Sequence, residues 1–190
     1  LQSAYGASLE AGSDYNAIIL STLVAVNGAF YIDGSDYNTL SASYLESPSG
    51  YGASLVAGAD NNTVSQSTIQ SNGAGAIVSI VGNGNTFVGL MLDSASGGSP
   101  GMDISGGGNT VAQSTINVTG RAVDISGSGN TLVGNYTRSI FSDTIRFAGS
   151  GNSVYGSTSI AFASAMGGLW IDFGSNSIAT GCVFYNPTTN

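Results

Sequence analysis

Apolar and polar residues alternate in short runs along this chain, and the runs recur. Met102-Asp103-Ile104, Val123-Asp124-Ile125, Ile145-Arg146-Phe147 and Ile171-Asp172-Phe173 each set a polar residue between two apolar ones. Period-two alternation predicts short strands with the apolar residues inward and the central residue outward. A few residues later comes Asn, then Thr or Ser, then an aliphatic residue, with another aliphatic residue five positions on, as in Val64 with Ile69 and Val111 with Ile116. That stretch predicts a second strand, so two strands are expected per repeat.

The clearest repeated phrases are Gly84-Asn85-Thr86-Phe87, Gly108-Asn109-Thr110-Val111 and Gly129-Asn130-Thr131-Leu132. Across the chain the repeat centres on Asn16, Asn38, Asn62, Asn85, Asn109, Asn130, Asn152 and Asn176, at spacings of 22, 24, 23, 24, 21, 22 and 24 residues. A period of this size marks a solenoid. About eight coils of 21–24 residues are therefore expected, stacked at the strand spacing of about 4.8 Å into a rod roughly 40 Å long. Stacking aligns the asparagines into a ladder of hydrogen-bonded amides, as in cross-β assemblies. It also aligns Thr39, Thr63, Thr86, Thr110, Thr131, Ser153 and Ser177 into a hydroxyl column. Glycines before the asparagine permit a positive-φ corner, which Asn itself tolerates. A leucine-rich horseshoe has a similar period, but Ile104 and Ile125 each precede their Asn by five residues, not three, and Leu is not dominant. The expected fold is all-β: a single-stranded right-handed parallel β-helix over residues 1–190, one domain or a segment of a longer solenoid.

The phrases Asp103-Ile104-Ser105-Gly106-Gly107-Gly108-Asn109-Thr110-Val111 and Asp124-Ile125-Ser126-Gly127-Ser128-Gly129-Asn130-Thr131-Leu132 resemble coils of the right-handed parallel β-helix, pectate-lyase-like superfamily. They are also similar to passenger domains of bacterial autotransporters and to β-helical phage tail proteins. The resemblance is architectural and covers nearly the whole chain. It implies an extracellular or cell-surface setting and contact with glycans, and it carries over no catalytic motif.

Composition narrows the function. Hydrophobic residues make up 42% of the chain and charged residues 7%, with net charge −8, three arginines, no lysine and no histidine. Nucleic-acid binders use Lys and Arg to displace counterions from phosphate, so that class is set aside. No apolar run is long enough to span a bilayer. The single Cys182 cannot form an internal disulfide and reads as an apolar filler.

Counting six positions back from each ladder residue, with a two-residue shortening in the last coil, aligns Asp103, Asp124, Arg146 and Asp172 on one outward column. Two stacked carboxylates repel, which raises one pKa and suits acid/base work or Ca²⁺. If the chain is an enzyme, these four residues are its catalytic candidates. The loop residues Glu46, Asp93 and Asp143 are expected to wall a shallow groove beside them. Pectate lyases bind Ca²⁺ through acidic residues and use a basic residue in proton abstraction; the resemblance would give that role to Arg146. Against this, Asp124 with Arg146 reads equally as an ion pair, the other family motifs are absent, and no cofactor is expected. A Thr column also invites an ice-binding reading, but its neighbouring row, read as Ile19, Ser41, Ser65, Val88, Ala112, Val133, Tyr155 and Ala179, is irregular. Tyr15 and Tyr37 occupy equivalent corners and are expected to stack, with Tyr44 and Tyr51 as further members of an aromatic patch.

The repeat begins near Leu9 and runs to Val183-Phe184-Tyr185, with no amphipathic helical segment at either end. An uncovered coil exposes strand edges that pair with another chain. The favoured expectation is a non-catalytic extracellular structural or adhesive solenoid, a subunit of a filament, sheath or surface fibre that self-associates end to end. A polysaccharide-binding or polysaccharide-cleaving β-helix is the alternative, and an ice-binding protein the third.

Overall fold

The computed structural model describes residues 4–94, 99–162, 167–172 and 176–187. These form a parallel β-solenoid: three eight-stranded parallel sheets wound through about seven turns. Each coil gives one strand to each sheet, as the third coil does with Tyr51–Leu55, Thr63–Ser65 and Thr68–Ser71. Each strand between the first and last coils pairs with its equivalents in the coils before and after, so register is set by the repeat itself. The alternating runs behave as expected, with Met102–Ile104, Val123–Ile125 and Ile145–Phe147 all in the first sheet.

The expected count of two strands per coil is corrected to three. What reads as one second strand bends in the middle, between Ser65 and Thr68 in the third coil. The bend falls on a residue with positive φ: Leu20, Ala42, Gln66, Gly89, Gln113, Gly134, Gly156 and Gly181 in successive coils. A side chain that interrupts the inward–outward alternation follows each bend: Ser21, Ser43, Ser67, Leu90, Ser114, Asn135, Ser157 and Cys182. The corner before the second sheet is built the same way. There Tyr15, Tyr37, Asn61, Gly84, Gly108, Gly129, Gly151 and Asn176 carry positive φ. For a bulky residue such as Tyr this conformation is a real cost, so the corner geometry dominates over local preference.

Inside the triangle of sheets lies a continuous apolar core. Phe30, Phe87, Phe147, Leu40, Leu45, Leu55, Ile69, Leu92 and Ile104 are all fully buried within it. Two polar residues enter the core of the sixth and seventh coils: Thr137 and Ser159 are buried and hydrogen-bond each other at 2.7 Å. Pairing satisfies both hydroxyls where an isolated one would be costly.

The ladder is real, but among the described residues the expected amide-on-amide bond forms at one step, Asn130 Nδ2 to Asn152 Oδ1 at 3.2 Å, and the recurrent bonds differ. The backbone N–H of each Asn donates to Oδ1 of the Asn one coil later. The steps are Asn16 to Asn38, Asn38 to Asn62, Asn85 to Asn109, Asn109 to Asn130 and Asn130 to Asn152 at 2.8 Å, and Asn62 to Asn85 at 2.7 Å. The Nδ2 groups of Asn62, Asn85, Asn109, Asn130 and Asn152 turn back to carbonyls of the preceding coil, those of Ser35, Ala59, Gly82, Gly106 and Gly127. Coils approach so closely here that a Cβ on Gly106 would lie 1.9 Å from the Gly82 carbonyl oxygen. In the last coil the sequence alignment slips by one. Asn152 donates to Ser177 Oγ at 3.3 Å, and Asn176 takes the positive-φ place before it. The hydroxyl column correspondingly ends on Ile178, not Ser177.

Replacing Asn85 with Ala would leave the Asn62 N–H and the Ala59 carbonyl buried without partners. At about 1–3 kcal/mol for each such group, Asn85→Ala should destabilise the chain by about 2–4 kcal/mol in urea unfolding. Asn16→Ala should cost under about 1 kcal/mol, because the Asn16 amide bonds only Ser13 and Asp14 carbonyls at the surface.

Candidate functional site

The first sheet carries the outward column. Its central positions are as expected, with Ser79, Asp103, Asp124 and Arg146 directly adjacent on consecutive coils. The last position is corrected. Trp170 stands beside Arg146, and Asp172 lies two residues further along the strand direction, because the final strand is Leu169–Ile171 and not the expected Ile171-Asp172-Phe173. Phe173 lies outside the described residues.

Asp124 is the centre of this column. Arg146 grips it with two bonds, Nε to Oδ1 at 2.8 Å and Nη2 to Oδ2 at 2.9 Å. From the loop before the strand, Arg121 adds a third bond, Nη1 to Oδ2 at 2.8 Å, and reaches the buried Asp143 with Nη2 at 3.5 Å. Asp143 also accepts the Gly167 N–H at 3.1 Å. With only 9% of its surface exposed, Asp124 is more buried than a surface ion pair. Bidentate, charge-assisted bonds of this kind are the strong ones. Both Asp124 oxygens are therefore occupied by guanidinium groups. Asp103 is the exposed carboxylate of the column, and partial burial together with the Asp124 charge pushes it above its ordinary value, against the pull of Arg146.

Of the three loop acids, only Asp143 reaches this column. Asp143 joins it through Arg121, whereas Glu46 and Asp93 lie on strands of the third sheet. There they line a shallow polar hollow of about 160 Å³ with Ser47, Gln70, Ser71 and Asn72. Glu46, Gln70, Asp93, Asn117 and Arg138 follow one another on successive strands of that sheet. The Tyr44 hydroxyl lies 2.9 Å from Glu46 Oε2 and 3.0 Å from Gln70 Oε1, and its bond with Glu46 holds the phenol above its ordinary value. Further along, Asn117 donates to Asp93 at 3.4 Å, and Arg138 donates to Asn117 at 2.9 Å while covering the Phe162 ring at 4.6 Å. This polar file escaped the sequence reading, because the unrecognised bend shifted its strand out of the expected frame. Among the described residues no three His, Cys, Asp or Glu side chains converge as a metal site.

On the second sheet the hydroxyl column holds from Thr39 to Ser153, and none of its strand residues is charged. Its neighbouring row reads Ile19, Ser41, Ser65, Val88, Ala112, Val133, Tyr155 and Thr180, which replaces Ala179 at the end. Tyr15 and Tyr37 do stack, with centroids 5.1 Å apart and planes 6° from parallel. Beside them runs a second corner file: Asp36 N–H donates to Asp14 at 2.7 Å, Asp60 to Asp36 at 2.8 Å and Asn83 to Asp60 at 2.6 Å. A second aromatic stack joins Tyr5 to Tyr31 at 4.6 Å.

No family model matches the chain, and no curated protein matches it.

Two stability measurements test the electrostatics. A carboxyl whose folded value is raised weakens the fold as pH climbs through that value, and its penalty is absent below the ordinary value of 3.8. Asp103→Asn should therefore raise the melting temperature at pH 7, by about 1–2 °C for relief of one like-charge contact, and the gain should close as pH falls below the ordinary carboxylate range. Arg121→Gln should cost about 2–4 kcal/mol by leaving Asp143 buried without its cation. Arg146→Gln should cost less, about 1 kcal/mol, because Arg121 still holds Asp124.

Proposed function

We propose that this chain is an extracellular structural β-solenoid, a rod segment of a filament, stalk or surface fibre that extends by adding coils to its end faces. The observation carrying this reading is the state of the eighth coil. Its inward positions Ile171, Ala179 and Phe184 are exposed, Ile171 by 43% and Phe184 by 38%. In the middle coils the inward equivalents, such as Ile104, Val111 and Ile116, are fully buried. In the first coil the inward residues Ala7, Leu9, Ile18 and Leu23 are only partly buried, where their equivalents in the next coils are fully buried. Apolar surface beside open strand edges is the kind that pairs with another chain.

The rod reading is also supported by what the long faces hold. In the first sheet both Asp124 oxygens are held by arginines, and the third sheet bears a small open hollow. An extracellular setting agrees with the low charge and the lack of lysine, which leave few sites for trypsin-like proteases. A second reading draws on the hollow itself: Glu46, Gln70 and Asp93 offer acceptors and donors at strand spacing to the hydroxyls of a glycan lying along the third sheet.

Negative-stain electron microscopy of the purified chain at physiological salt should show rods with an axial repeat near one subunit height, about 40 Å. Phe184→Asp, which places a charge on the exposed end face, should reduce them to single particles without loss of β-sheet circular dichroism. Discrete particles for the unaltered chain at every concentration would overturn the structural reading.

A further inference from the structure

Resting on that reading, we propose that the eighth coil takes the first coil of a second copy as its ninth, in the register that already relates each coil to the next. Two corner files specify the fit. At the first corner, each N–H donates to the following coil's side-chain oxygen, and each carbonyl accepts the N–H one residue beyond the following ladder position. Asn16 N–H thus bonds Asn38 Oδ1 at 2.8 Å while Thr39 N–H bonds the Asn16 carbonyl at 2.8 Å. The second corner repeats the pattern except where Leu90 and Cys182 stand in the file and offer no oxygen. Ser21 N–H bonds Ser43 Oγ at 3.1 Å, and Tyr44 N–H bonds the Ser21 carbonyl at 2.9 Å.

Each end face holds one half of this set. Among the described residues, the eighth coil leaves the N–H and carbonyl groups of Ser177 and Cys182 with no following coil. The first coil leaves Asn16 Oδ1, Ser21 Oγ and the N–H groups of Ala17 and Thr22 with no preceding one. Donors and acceptors match one for one: Ser177 N–H with Asn16 Oδ1, Ala17 N–H with the Ser177 carbonyl, Cys182 N–H with Ser21 Oγ, and Thr22 N–H with the Cys182 carbonyl.

The apolar residues match too. Continuing the sheet registers places Leu169, Ile171, Ala179 and Phe184 against Ala7, Leu9, Ile18 and Leu23 of the second copy. These four residues of the first coil are already packed on one side against the core. One contact in the register opposes it, since Asp172 meets Glu10, and raised salt should therefore strengthen the association.

Cys182 makes the register testable. It is the chain's one cysteine, and it occupies the corner file that Ser21 begins. In the proposed register residue 21 of the second copy lies one strand spacing away, about 4.8 Å, inside the Cα separation of about 4.4–6.8 Å that a disulfide spans. Ser21→Cys under mild oxidation should therefore give a ladder of trimers and longer species on a non-reducing gel, collapsing on reduction. The unaltered chain has one thiol and can stop only at dimers. Ala17→Cys, on the other side of the bend, serves as the off-register control and should give no ladder.

Rods by microscopy without a Ser21→Cys ladder would overturn this register and leave the rod reading standing. Monomers by light scattering at every concentration and salt would overturn both. Asn16→Ala supplies an arm free of cysteine chemistry: it should weaken association about tenfold while leaving the melting temperature nearly unchanged. Association undiminished in Asn16→Ala would likewise overturn the register.

Discussion

Each turn of this solenoid bends sharply at two corners where the backbone can no longer pair strand to strand, and the N–H groups there are buried. A buried N–H without an acceptor costs about 1–3 kcal/mol, and a fold with two such corners per coil could not stand that loss many times over. The side chain that follows each positive-φ residue resolves the problem by presenting an oxygen to the coil before it. Asn does this at the first corner, and Ser or Asn at most of the second. The inward strand residues can then be chosen for bulk alone, which is why Phe30, Phe87 and Phe147 fit beside small residues such as Ala53.

The same requirement sets how near the coils lie. For Asn Nδ2 to reach back to the previous coil, the carbonyl there has to approach closely, and the file Gly82, Gly106, Gly127 and Gly149 provides it. A Cβ at any of these four would come within 1.9 Å of a backbone oxygen. Asn38 marks the limit of the arrangement: its Nδ2 is buried without a partner. The amide of Asn16, one coil earlier, turns instead to carbonyls of its own coil.

Much of this was legible in the chain. The Asn spacing predicts the stacking, and the alternating runs predict the first sheet and its inward residues, because period and polarity there act together. The second bend was not legible, since Gln66, Ala42 and Gln113 adopt positive φ without a glycine to announce it. Only Gly89, Gly134, Gly156 and Gly181 hint at it, each followed by a residue that breaks the alternation. The column of Asp103, Asp124 and Arg146 was readable from spacing, whereas Arg121 was not, because it reaches Asp124 from a loop outside the repeat. The slip of the last coil to Ser177 shows the remaining weakness: Asn, a good positive-φ residue, can occupy either place in Ser-Asn-Ser, and only pairing decides which.

Charge is distributed along the rod in a way that follows from this plan. The first three coils hold Glu10, Asp14, Asp33, Asp36, Glu46 and Asp60 with no basic residue, while the three arginines lie between residues 121 and 146. Asp14, Asp36 and Asp60 need no cation, because each accepts a backbone N–H from the next coil and keeps access to water. Asp124 and Asp143 are buried, and burial without a cation would be prohibitive. Arg121 and Arg146 therefore stand where desolvation requires them, whereas Asp103 keeps a like-charge contact with Asp124. In a molecule whose coils touch only their neighbours, stability is nearly a sum over coil steps. Among the described residues the first and eighth coils each have a neighbouring coil on one side, and so contribute one such step where an internal coil contributes two. The sequence therefore constrains the long faces loosely and the stacking direction tightly.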